Sequence, residues 1–210
     1  MTEQLIISVS REFGSGGHLI AQQLSKIFDL PLYDYNLLKE IAAQKGIDVS
    51  KLQKYDELPK NKILSRNVRG YSNSPHENIA NMQFEYLKSK AEQGESFVVV
   101  GRCSETILKE YDCMIPIFVM ADMEYKLKRV MTTEKLTEEE ARARIKRQNW
   151  KRKEYHNYFC AQKWGDSRNY DVCVNCGKLG IEKTTAILEQ YIRERILVRE
   201  TEQKETHETL

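Results

Sequence analysis

Apolar positions along the chain fall into two kinds of segment, short continuous runs and longer stretches with helical spacing. Continuous runs occur at 5–7, 96–101 and 114–120, whereas apolar residues recur every three or four positions in 19–27 and 181–197. Strands that are apolar on both faces are typical of a parallel sheet that helices cover. The order strand, helix, strand therefore predicts an α/β fold, a three-layer sandwich with a parallel sheet flanked by helices.

The segments between these runs predict two helical insertions. Residues 35–94 contain two stretches of helical spacing, each closed by a glycine, on either side of the polar stretch 47–76, whose breakers indicate a mobile connection. Residues 122–163 are compatible with helix almost throughout and are highly charged. We expect one domain over 1–198 that includes both insertions, followed by a polar, disordered tail over 199–210.

A glycine-rich turn directly after the first apolar run is the strongest chemical signal. The sequence SREFGSGGH at 10–18 lies between a predicted strand and a predicted helix. Residues without a Cβ let consecutive backbone N–H groups converge on one oxyanion, and the helix N-terminus adds its dipole. The pattern predicts a phosphate cradle, with a glycine turn that holds no ligand as the alternative. The cradle would be formed by Gly14, Ser15, Gly16, Gly17 and His18.

The cradle differs from the Walker loop in the residues that follow its last glycine. The Walker pattern places a lysine and then a hydroxyl residue there, for the phosphates and for Mg²⁺. If Gly14 and Gly16 correspond to the last two loop glycines, Gly17 stands at the lysine position and His18 follows it. We therefore expect the positive charge to come from Arg11 or from an arginine elsewhere in the chain.

Composition limits the class of protein. The 210 residues, 40% of them hydrophobic, suffice for one core, and no apolar run approaches the length of a bilayer span. The N-terminus lacks a basic segment followed by an apolar one, so we expect a cytoplasmic protein. The net charge of +2 does not point to nucleic acid as a partner. The sequence gives no indication of the oligomeric state.

The cysteines do not indicate a disulfide framework or a metal site. The chain has five of them, an odd number at irregular spacing. Cys173 and Cys176 form a single C-x-x-C pair, but no second pair accompanies it, and Cys173 lies in an alternating, strand-like segment. The pattern favours small buried residues on a core strand, and we predict no bound structural metal.

Two basic features point toward the same edge of the sheet as the cradle. Arg102 follows the predicted strand at 96–101, and ligands of such sheets bind beyond the carboxyl ends of the strands. The segment 142–153 contains seven basic residues and no acidic one. Such a run suits a helix that closes over phosphates, whereas a nucleic-acid patch is the rival interpretation.

Taken together, these motifs resemble the cytidylate kinase-like family, a branch of P-loop proteins, from about residue 4 to residue 197. The resemblance rests on SREFGSGGH at 10–18, on Val100-Gly101-Arg102, and on the segment from Arg152 through Trp164-Gly165-Asp166. It implies a P-loop fold that binds ATP and Mg²⁺ and transfers phosphate to a small nucleotide. The insertion 122–163 would be the lid, and 35–94 would be the acceptor-side arm.

The resemblance also implies roles for individual residues. Arg102 looks like the arginine that holds the acceptor phosphate, and Arg152 like the last arginine of the lid motif R-x-x-x-D-x-x-R. Catalytic roles would fall to Arg102, Arg129 and Arg152. Nucleotide binding would fall to Arg11, Gly14, Ser15, Gly16, Gly17, His18 and Asn175. Acceptor binding would fall to Asp34, Arg102 and Arg147.

Several positions depart from the family pattern. The lid aspartate is replaced by Asn149, the first lid arginine by Ile145, and an acceptor-site arginine by Glu40. An acceptor other than cytidylate is therefore compatible with the sequence. Three functions stay open: a kinase for a nucleotide or another small molecule, a nucleotide sensor that lost efficient transfer with its lysine, and a basic interaction module on a P-loop fold.

Overall fold

The computed structural model describes residues 4–46, 48–50, 67–68, 71–72 and 75–208. The strands are β1 (Ile6–Arg11), β2 (Leu32–Tyr33), β3 (Asn67–Val68), β4 (Tyr71–Ser72), β5 (Phe97–Val100), β6 (Met114–Met120) and β7 (Val172–Asn175). The helices are α1 (Gly17–Ile27), α2 (Leu37–Lys45), α3 (Pro75–Glu92), α4 (Ser104–Ile107), α5 (Met123–Glu134), α6 (Glu138–Phe159) and α7 (Cys176–Glu208). A 3₁₀ turn spans Ser167–Asn169.

Five strands form one parallel sheet in the order β2-β5-β1-β6-β7. β1 is central, and Val9 on it pairs with Val100 of β5 and with Ile117 of β6. The chain continues from β1 to one side of the sheet through β2 and β5, and later to the other side through β6 and β7. The loop after β1 lies at this change of direction. The predicted α/β fold is confirmed, and this edge of the sheet is where ligands of such folds bind.

Helices cover both faces of the sheet, so each face has its own apolar core. On one face Ile7 and Val9 pack with residues of α1 and α7, including Leu24 and Leu188. The other face packs against α2, α3 and α4 through a cluster of buried residues, Ile6, Tyr33, Leu37, Ile41, Leu87, Phe97, Val99 and Leu108. The continuous apolar runs follow directly from this arrangement, since a strand covered on both faces buries every side chain.

One face of β1 becomes polar toward its carboxyl end. After Ile6 the same face carries Ser8 and Ser10, both buried. The Ser8 hydroxyl lies 2.7 Å from that of Ser104, and Ser10 donates a hydrogen bond of 3.2 Å to Glu105. Buried hydroxyls are retained because these partners offset their desolvation. The polar end of β1 therefore fixes the turn that follows β5.

The two predicted insertions are helical where the structure describes them. Residues 35–94 contain α2 and α3, with the β3–β4 pair between them, and most of 47–76 lies outside the described residues. Residues 122–163 form α5 and α6, and α6 begins with a capping box between Thr137 and Glu140. The expected helical character of both insertions agrees with these elements.

Two elements differ from the sequence-based expectations. The helical segment expected between β5 and β6 is only the single turn α4, because the backbone leaves the helical conformation at Leu108. The tail expected to be disordered from residue 199 continues α7 as helix to Glu208, beyond a kink at Gly180. Its charged residues are good helix formers, and Arg199 donates a hydrogen bond of 2.8 Å to the backbone carbonyl of Gln4.

Candidate active site

The glycine loop between β1 and α1 is held from two sides. Gly14 and Gly16 have φ angles of 82° and 91°, which side chains other than glycine rarely adopt. A Cβ on Gly14 would lie 3.0 Å from a methyl group of Val130 on α5, and one on Gly16 would lie 3.0 Å from Ile181 on α7. The loop is therefore packed against both helices, and glycine is needed for conformation and for space.

The loop presents backbone donors that no protein group uses. Within the described residues, the N–H groups of Gly16, His18 and Leu19 donate to no protein acceptor, whereas the N–H of Gly17 donates to the Ser15 hydroxyl at 3.3 Å. Ser15 is fully buried and donates in turn to the carbonyl of Glu12. These donors lie at the N-terminus of α1, so the arrangement suits a phosphate oxygen.

Gly17 cannot accommodate a side chain without rearrangement. A Cβ built there would lie 2.6 Å from the Cβ of Arg11 and 3.1 Å from that of Val119. Both neighbours are atoms next to the backbone of the central strands, and they cannot swing away as the end of a long side chain can. The packing of β1 against α1 therefore excludes a lysine at this position.

Lys126 does not replace it. Lys126 on α5 packs next to Gly14, but its ammonium group is buried and lies 2.7 Å from the carboxylate of Glu12. A buried ion pair of this kind is costly to separate because either partner would be left unpaired in a poorly solvated site. We infer that the positive charge of the site comes from guanidinium groups.

Arg11 is the first of these guanidinium groups. It ends β1, and its Nη1 lies beside Gly101, 2.4 Å from the point that a Cβ on this glycine would occupy. The side chain thus crosses from β1 to the turn after β5, over the carboxyl ends of both strands. Its backbone carbonyl accepts a hydrogen bond of 3.0 Å from Arg152 on α6. Arg11 therefore joins the loop, the sheet and the lid.

Arg102 lies in a strained turn beyond β5. Gly101, Arg102 and Cys103 have φ angles of 72°, 60° and 55°, all in the left-handed region. That conformation costs about 1 kcal/mol for each residue that carries a Cβ, and strain of this kind is found preferentially at functional sites. The turn is anchored by the hydrogen bond between the Ser104 hydroxyl and the Gly101 carbonyl, at 2.8 Å. It brings Arg102 to the cleft.

Beyond the glycine loop lies a cavity of about 550 Å³. Its basic lining comes from β1, from the turn after β5 and from α6, and Glu154 is an acidic residue on its α6 wall. Basic side chains that converge in a partly enclosed space favour an anionic ligand with several oxygen atoms. The basic residues of the lining are Arg11, Arg102, Lys151 and Arg152.

Aromatic side chains close the far side of this cavity. His76 of α3 stacks on Phe159 of α6 at 5.7 Å between ring centres and meets Tyr155 edge to face at the same distance. The Tyr158 hydroxyl donates a short hydrogen bond to the carboxylate of Glu77. The acceptor-side arm and the lid are thus in contact, and the cavity offers flat apolar surface opposite its arginines.

The lid also contacts the glycine loop through Phe13. The guanidinium carbons of Arg144 and Arg152 lie 5.5 and 5.6 Å from the centre of the Phe13 ring, within the range of cation–π contacts. The side-chain oxygen of Asn149 accepts the Phe13 N–H at 2.6 Å. Ile145, where the family motif has an arginine, is fully buried between α5 and α6. The departures in the lid motif therefore serve packing and docking.

Replacing Asn149 by alanine is expected to lower the free energy of unfolding by about 1 kcal/mol, the usual contribution of such a hydrogen bond. Asn149→Asp keeps the acceptor and, with it, most of the stability. Urea unfolding of the three proteins measures the difference. Equal losses in both variants would contradict the assignment of this hydrogen bond.

His18 faces the acceptor-side arm. Its Nε2 lies 3.6 Å from the carboxylate of Asp34, which is buried and also accepts the N–H of Asn36 at 2.9 Å. Burial lowers the pKa of His18, Asp34 opposes this shift, and the positive charges of Arg11 and Arg152 lower the pKa further. His18 is thus a neutral imidazole near pH 7, in the first turn of α1.

Of the predicted site residues, Arg11, Arg102 and Arg152 line this cavity, whereas the loop residues 14–18, Asp34, Arg129, Arg147 and Asn175 do not. Arg129 is half-buried on α5 near Tyr125, and Arg147 is exposed on α6. Asn175 ends β7, where its side chain donates to Asp122 at 2.9 Å and accepts the N–H of Gly177 at 3.0 Å. Their functional roles stay predictions that depend on movement of the lid or on the position of a bound base.

Sequence reasoning missed a buried pair of side chains in the wall of the cavity. His156 of α6 and Glu105 of α4 are linked at 2.5 Å between Nε2 and Oε1, and both side chains are almost completely buried. Glu105 follows Arg102 by three residues, and a carboxylate this close to the end of a strand could have marked it as a site residue. The sequence distance of His156 concealed the pairing.

A parallel sheet of this order with a glycine loop after its central strand is typical of the P-loop kinase fold. The chain belongs to the cytidylate kinase-like family, whose family model matches residues 6–178. It is 25% identical over 192 residues to a cytidylate kinase of Pyrococcus horikoshii, covering 90% of this chain and 89% of that protein. A cytidylate kinase of Pyrobaculum islandicum is also 25% identical, over 90% of this chain and 92% of the relative.

Solved structures agree with this fold. An uncharacterised protein from Eubacterium ventriosum is 38% identical and superposes with a TM-score of 0.73, over 90% of this chain and 99% of that one. The shikimate kinase of Acinetobacter baumannii, solved with shikimate, is 13% identical with a TM-score of 0.52, over 92% and 95% of the two chains. The latter similarity concerns the fold alone. Among the described helices, none is both long and apolar enough to span a membrane.

Proposed function

We propose that the protein transfers the γ-phosphate of ATP to a nucleoside monophosphate similar to cytidylate, or to another small anionic acceptor. The observation that carries this proposal is the convergence of Arg11, Arg102 and Arg152 on one cavity next to the glycine loop. Membership in a kinase family and the P-loop kinase fold support a nucleotide kinase.

The proposed role of each group follows from its position at the cleft. The free N–H groups at Gly16, His18 and Leu19 would hold the donor phosphates. Arg102 would grip the acceptor anion, since a guanidinium offers two parallel donors to a phosphate or carboxylate. Arg11 and Arg152 would offset negative charge that develops during transfer.

Other predicted residues would act after closure. Arg129 and Arg147 would reach the transferring group only if the lid moves, as lids of such enzymes do on the microsecond to millisecond scale. Asn175 lies at the carboxyl end of β7, where the donor base would contact the protein. Asp34 would contact the acceptor side of the cleft next to His18.

The cleft fits ATP better than it fits an isolated metal ion. The described residues contain no group of three or more side chains arranged to hold a metal. Mg²⁺ in kinases is bound mainly by phosphate oxygens, water and one or two carboxylates, and it offsets phosphate charge. Asp34, a buried carboxylate 3.6 Å from His18, would serve this purpose in place of the missing loop hydroxyl.

The test is an ADP-release screen with ATP or GTP as donor against nucleoside monophosphates, nucleosides and sugars, in the presence of Mg²⁺. We expect release above background only when an anionic acceptor is present, with pyrimidine monophosphates as the first group to examine. Release that does not depend on any acceptor would contradict the proposed transfer.

A second function is favoured by one specific observation, the exclusion of a side chain at Gly17. A loop that cannot hold a lysine would bind nucleotide and transfer phosphate poorly, which suits a nucleotide sensor. A sensor would show thermal stabilisation by ATP or GTP without acceptor-dependent ADP release. The same screen, paired with melting curves, therefore separates the two functions.

A further inference from the structure

A single buried carboxylate, that of Glu105, joins β1 and α6 to the turn that follows β5. Its Oε1 lies 2.5 Å from Nε2 of His156 on α6, and its Oε2 accepts the Ser10 hydroxyl of β1 at 3.2 Å. Glu105 itself belongs to α4, which begins directly after the Arg102 turn. Its side chain is 1% exposed. Ser10 and His156 line the cavity, whereas Glu105 lies behind them.

Each element that this carboxylate contacts carries one of the arginines that converge on the cavity. The neighbouring residues along the chain are Ser10 and Arg11, Glu105 and Arg102, and His156 and Arg152. His156 follows Arg152 by four residues, which places the two side chains one turn apart on the same face of α6. The contacts of one carboxylate therefore limit the separations among three guanidinium groups.

Hydrogen bonds at the start of α4 hold the backbone of Glu105 in place relative to the sheet. The Ser104 hydroxyl lies 2.7 Å from the Ser8 hydroxyl of β1 and donates to the Gly101 carbonyl at 2.8 Å. Both serines are fully buried, so a shift of α4 along β1 would leave a buried hydroxyl without its partner. The carboxylate thus starts from a fixed position, and the reach of its side chain decides where α6 is held.

The contact between Glu105 and His156 is an ion pair in a poorly solvated place. Burial alone would lower the pKa of His156, but Cys160, one helical turn later, and Glu105 outweigh burial and raise the pKa to about 10. The imidazole is therefore protonated at neutral pH. Separating such a pair leaves two buried charges unpaired, so the contact holds α6 firmly. The pair has no net charge.

Other contacts fix different parts of α6. Asn149 accepts the Phe13 N–H and thus joins α6 to the glycine loop, whereas Tyr158 donates to Glu77 of α3. The Glu105 pair differs because it ties α6 to the segment that follows β5. A change at Glu105 is therefore expected to alter the cavity wall and to leave the other two contacts of the lid in place.

We propose that Glu105 is a positioning residue of an anion site formed by Arg11, Arg102 and Arg152, and that the reach of its side chain sets the distances among them. The proposal rests on the proposed function only for the identity of the ligand, because converging guanidinium groups bind a multivalent anion whether or not transfer follows. Displacement by about 1 Å lowers the effectiveness of a preorganised site up to about 100-fold.

The two tryptophans of the chain, Trp150 and Trp164, both line the cavity and give a direct measure of anion binding. Their fluorescence is titrated with inorganic pyrophosphate, without Mg²⁺ or nucleotide, in the parent protein and in two variants. Glu105→Asp keeps the charge and shortens the side chain by one methylene group. Glu105→Gln keeps the length and removes the charge. The comparison therefore separates the reach of the side chain from its charge.

We expect Glu105→Asp to bind pyrophosphate about tenfold more weakly than the parent protein, because the shorter side chain cannot reach Ser10 and His156 together. Glu105→Gln should stay within about threefold, because its amide still reaches both partners and forms neutral hydrogen bonds with them. The proposal would be overturned if Glu105→Asp bound as tightly as the parent, or if Glu105→Gln bound as weakly as Glu105→Asp. A parent protein whose fluorescence does not respond to pyrophosphate would also overturn it.

Ile192→Ala is the control for a loss of stability alone. Ile192 is fully buried on α7, in the core on the other face of the sheet, so its truncation lowers the melting temperature without a change at the cavity. Its affinity for pyrophosphate should equal that of the parent protein. If Ile192→Ala binds as weakly as Glu105→Asp, general loosening explains the effect and the positioning role is wrong.

Ser10→Ala tests the same contact from the side of β1 if Glu105→Asp does not fold. Removal of this one hydroxyl leaves the pair with His156 intact and should weaken pyrophosphate binding about threefold, as expected for the loss of one hydrogen bond. Unchanged affinity in a folded Ser10→Ala protein would contradict the positioning role.

Steady-state kinetics distinguish failure of this proposal from failure of the proposed function. Where acceptor-dependent ADP release is found, Glu105→Asp should raise KM for the acceptor as much as it weakens pyrophosphate binding, and should leave KM for ATP unchanged. A parent protein without such release that still shows the expected order of pyrophosphate affinities would refute the proposed transfer and leave the positioning role of Glu105 intact.

Discussion

Arg102→Ala is expected to lower acceptor-dependent ADP release at least about 100-fold while ATP binding is retained. The loss follows from removing a preorganised cation from the site of charge development, where single donors contribute factors of about 10² to 10³. Arg102→Lys should recover little of the rate, because an ammonium group cannot form two parallel hydrogen bonds with the acceptor anion. Steady-state ADP release at saturating ATP measures the effect.

Arg142→Ala is the matched control for the loss of one positive charge. Arg142 is exposed on α6 and forms an i,i+4 ion pair with Glu138 at 2.7 Å, a contact that contributes about 0.5 kcal/mol at most. ADP release by this variant should stay close to that of the parent protein. If Arg102→Ala and Arg142→Ala change ADP release to the same extent, the cavity is not the acceptor site, even if both variants still bind ATP.

Gly17→Lys, which would restore the Walker lysine, is expected to destabilise the protein by about 3 kcal/mol and not to increase phosphoryl transfer. The new Cβ would lie 2.6 Å from the Cβ of Arg11, and overpacking of this severity costs about 1–3 kcal/mol or more. For a chain of this size the melting temperature should fall by roughly 6–12 °C.

His18→Lys is the control for this prediction, because it adds the same charge one residue later, where the side chain is 37% exposed. Its melting temperature should change far less than that of Gly17→Lys. A Gly17→Lys protein that melts like the parent, or that transfers phosphate faster, would refute the packing argument and favour a loop that rearranges around its ligand.

The His156–Glu105 pair makes the free energy of unfolding depend on pH. The pKa of His156 in the folded protein is raised to about 10 from its ordinary value of 6.5. A raised pKa contributes stability that is fully present below pH 6.5 and is lost as the pH rises toward 10. The free energy of unfolding of His156→Gln should therefore lie further below that of the parent protein at pH 6.5 than at pH 9.5. Urea unfolding at these two pH values measures the difference.

Most of the fold could be predicted because its signals are local. The apolar runs of β1, β5 and β6 and the helical spacing of α1 and α7 reflect burial patterns that each segment carries in its own sequence. The boundaries were less predictable, and α4 shows the reason. It ends at Leu108, which is buried in the core on that face of the sheet, and no local pattern contains that contact.

The candidate site divides in the same way. The glycine loop and Arg102 follow strands directly, so their places at the sheet edge could be inferred from the sequence. Glu105 and His156 lie 51 residues apart, and nothing near either residue announces the other.

The sequence by itself determined a parallel α/β sheet, a phosphate loop without lysine and an arginine beyond β5. Only the tertiary structure decided why Gly17 must stay glycine, which arginines share one cavity, and how α6 meets the Arg102 turn. The physical reason is that periodicity and glycine content act within one segment. Steric exclusion, convergence of charge and the pairing of buried groups arise between segments that folding alone brings into contact.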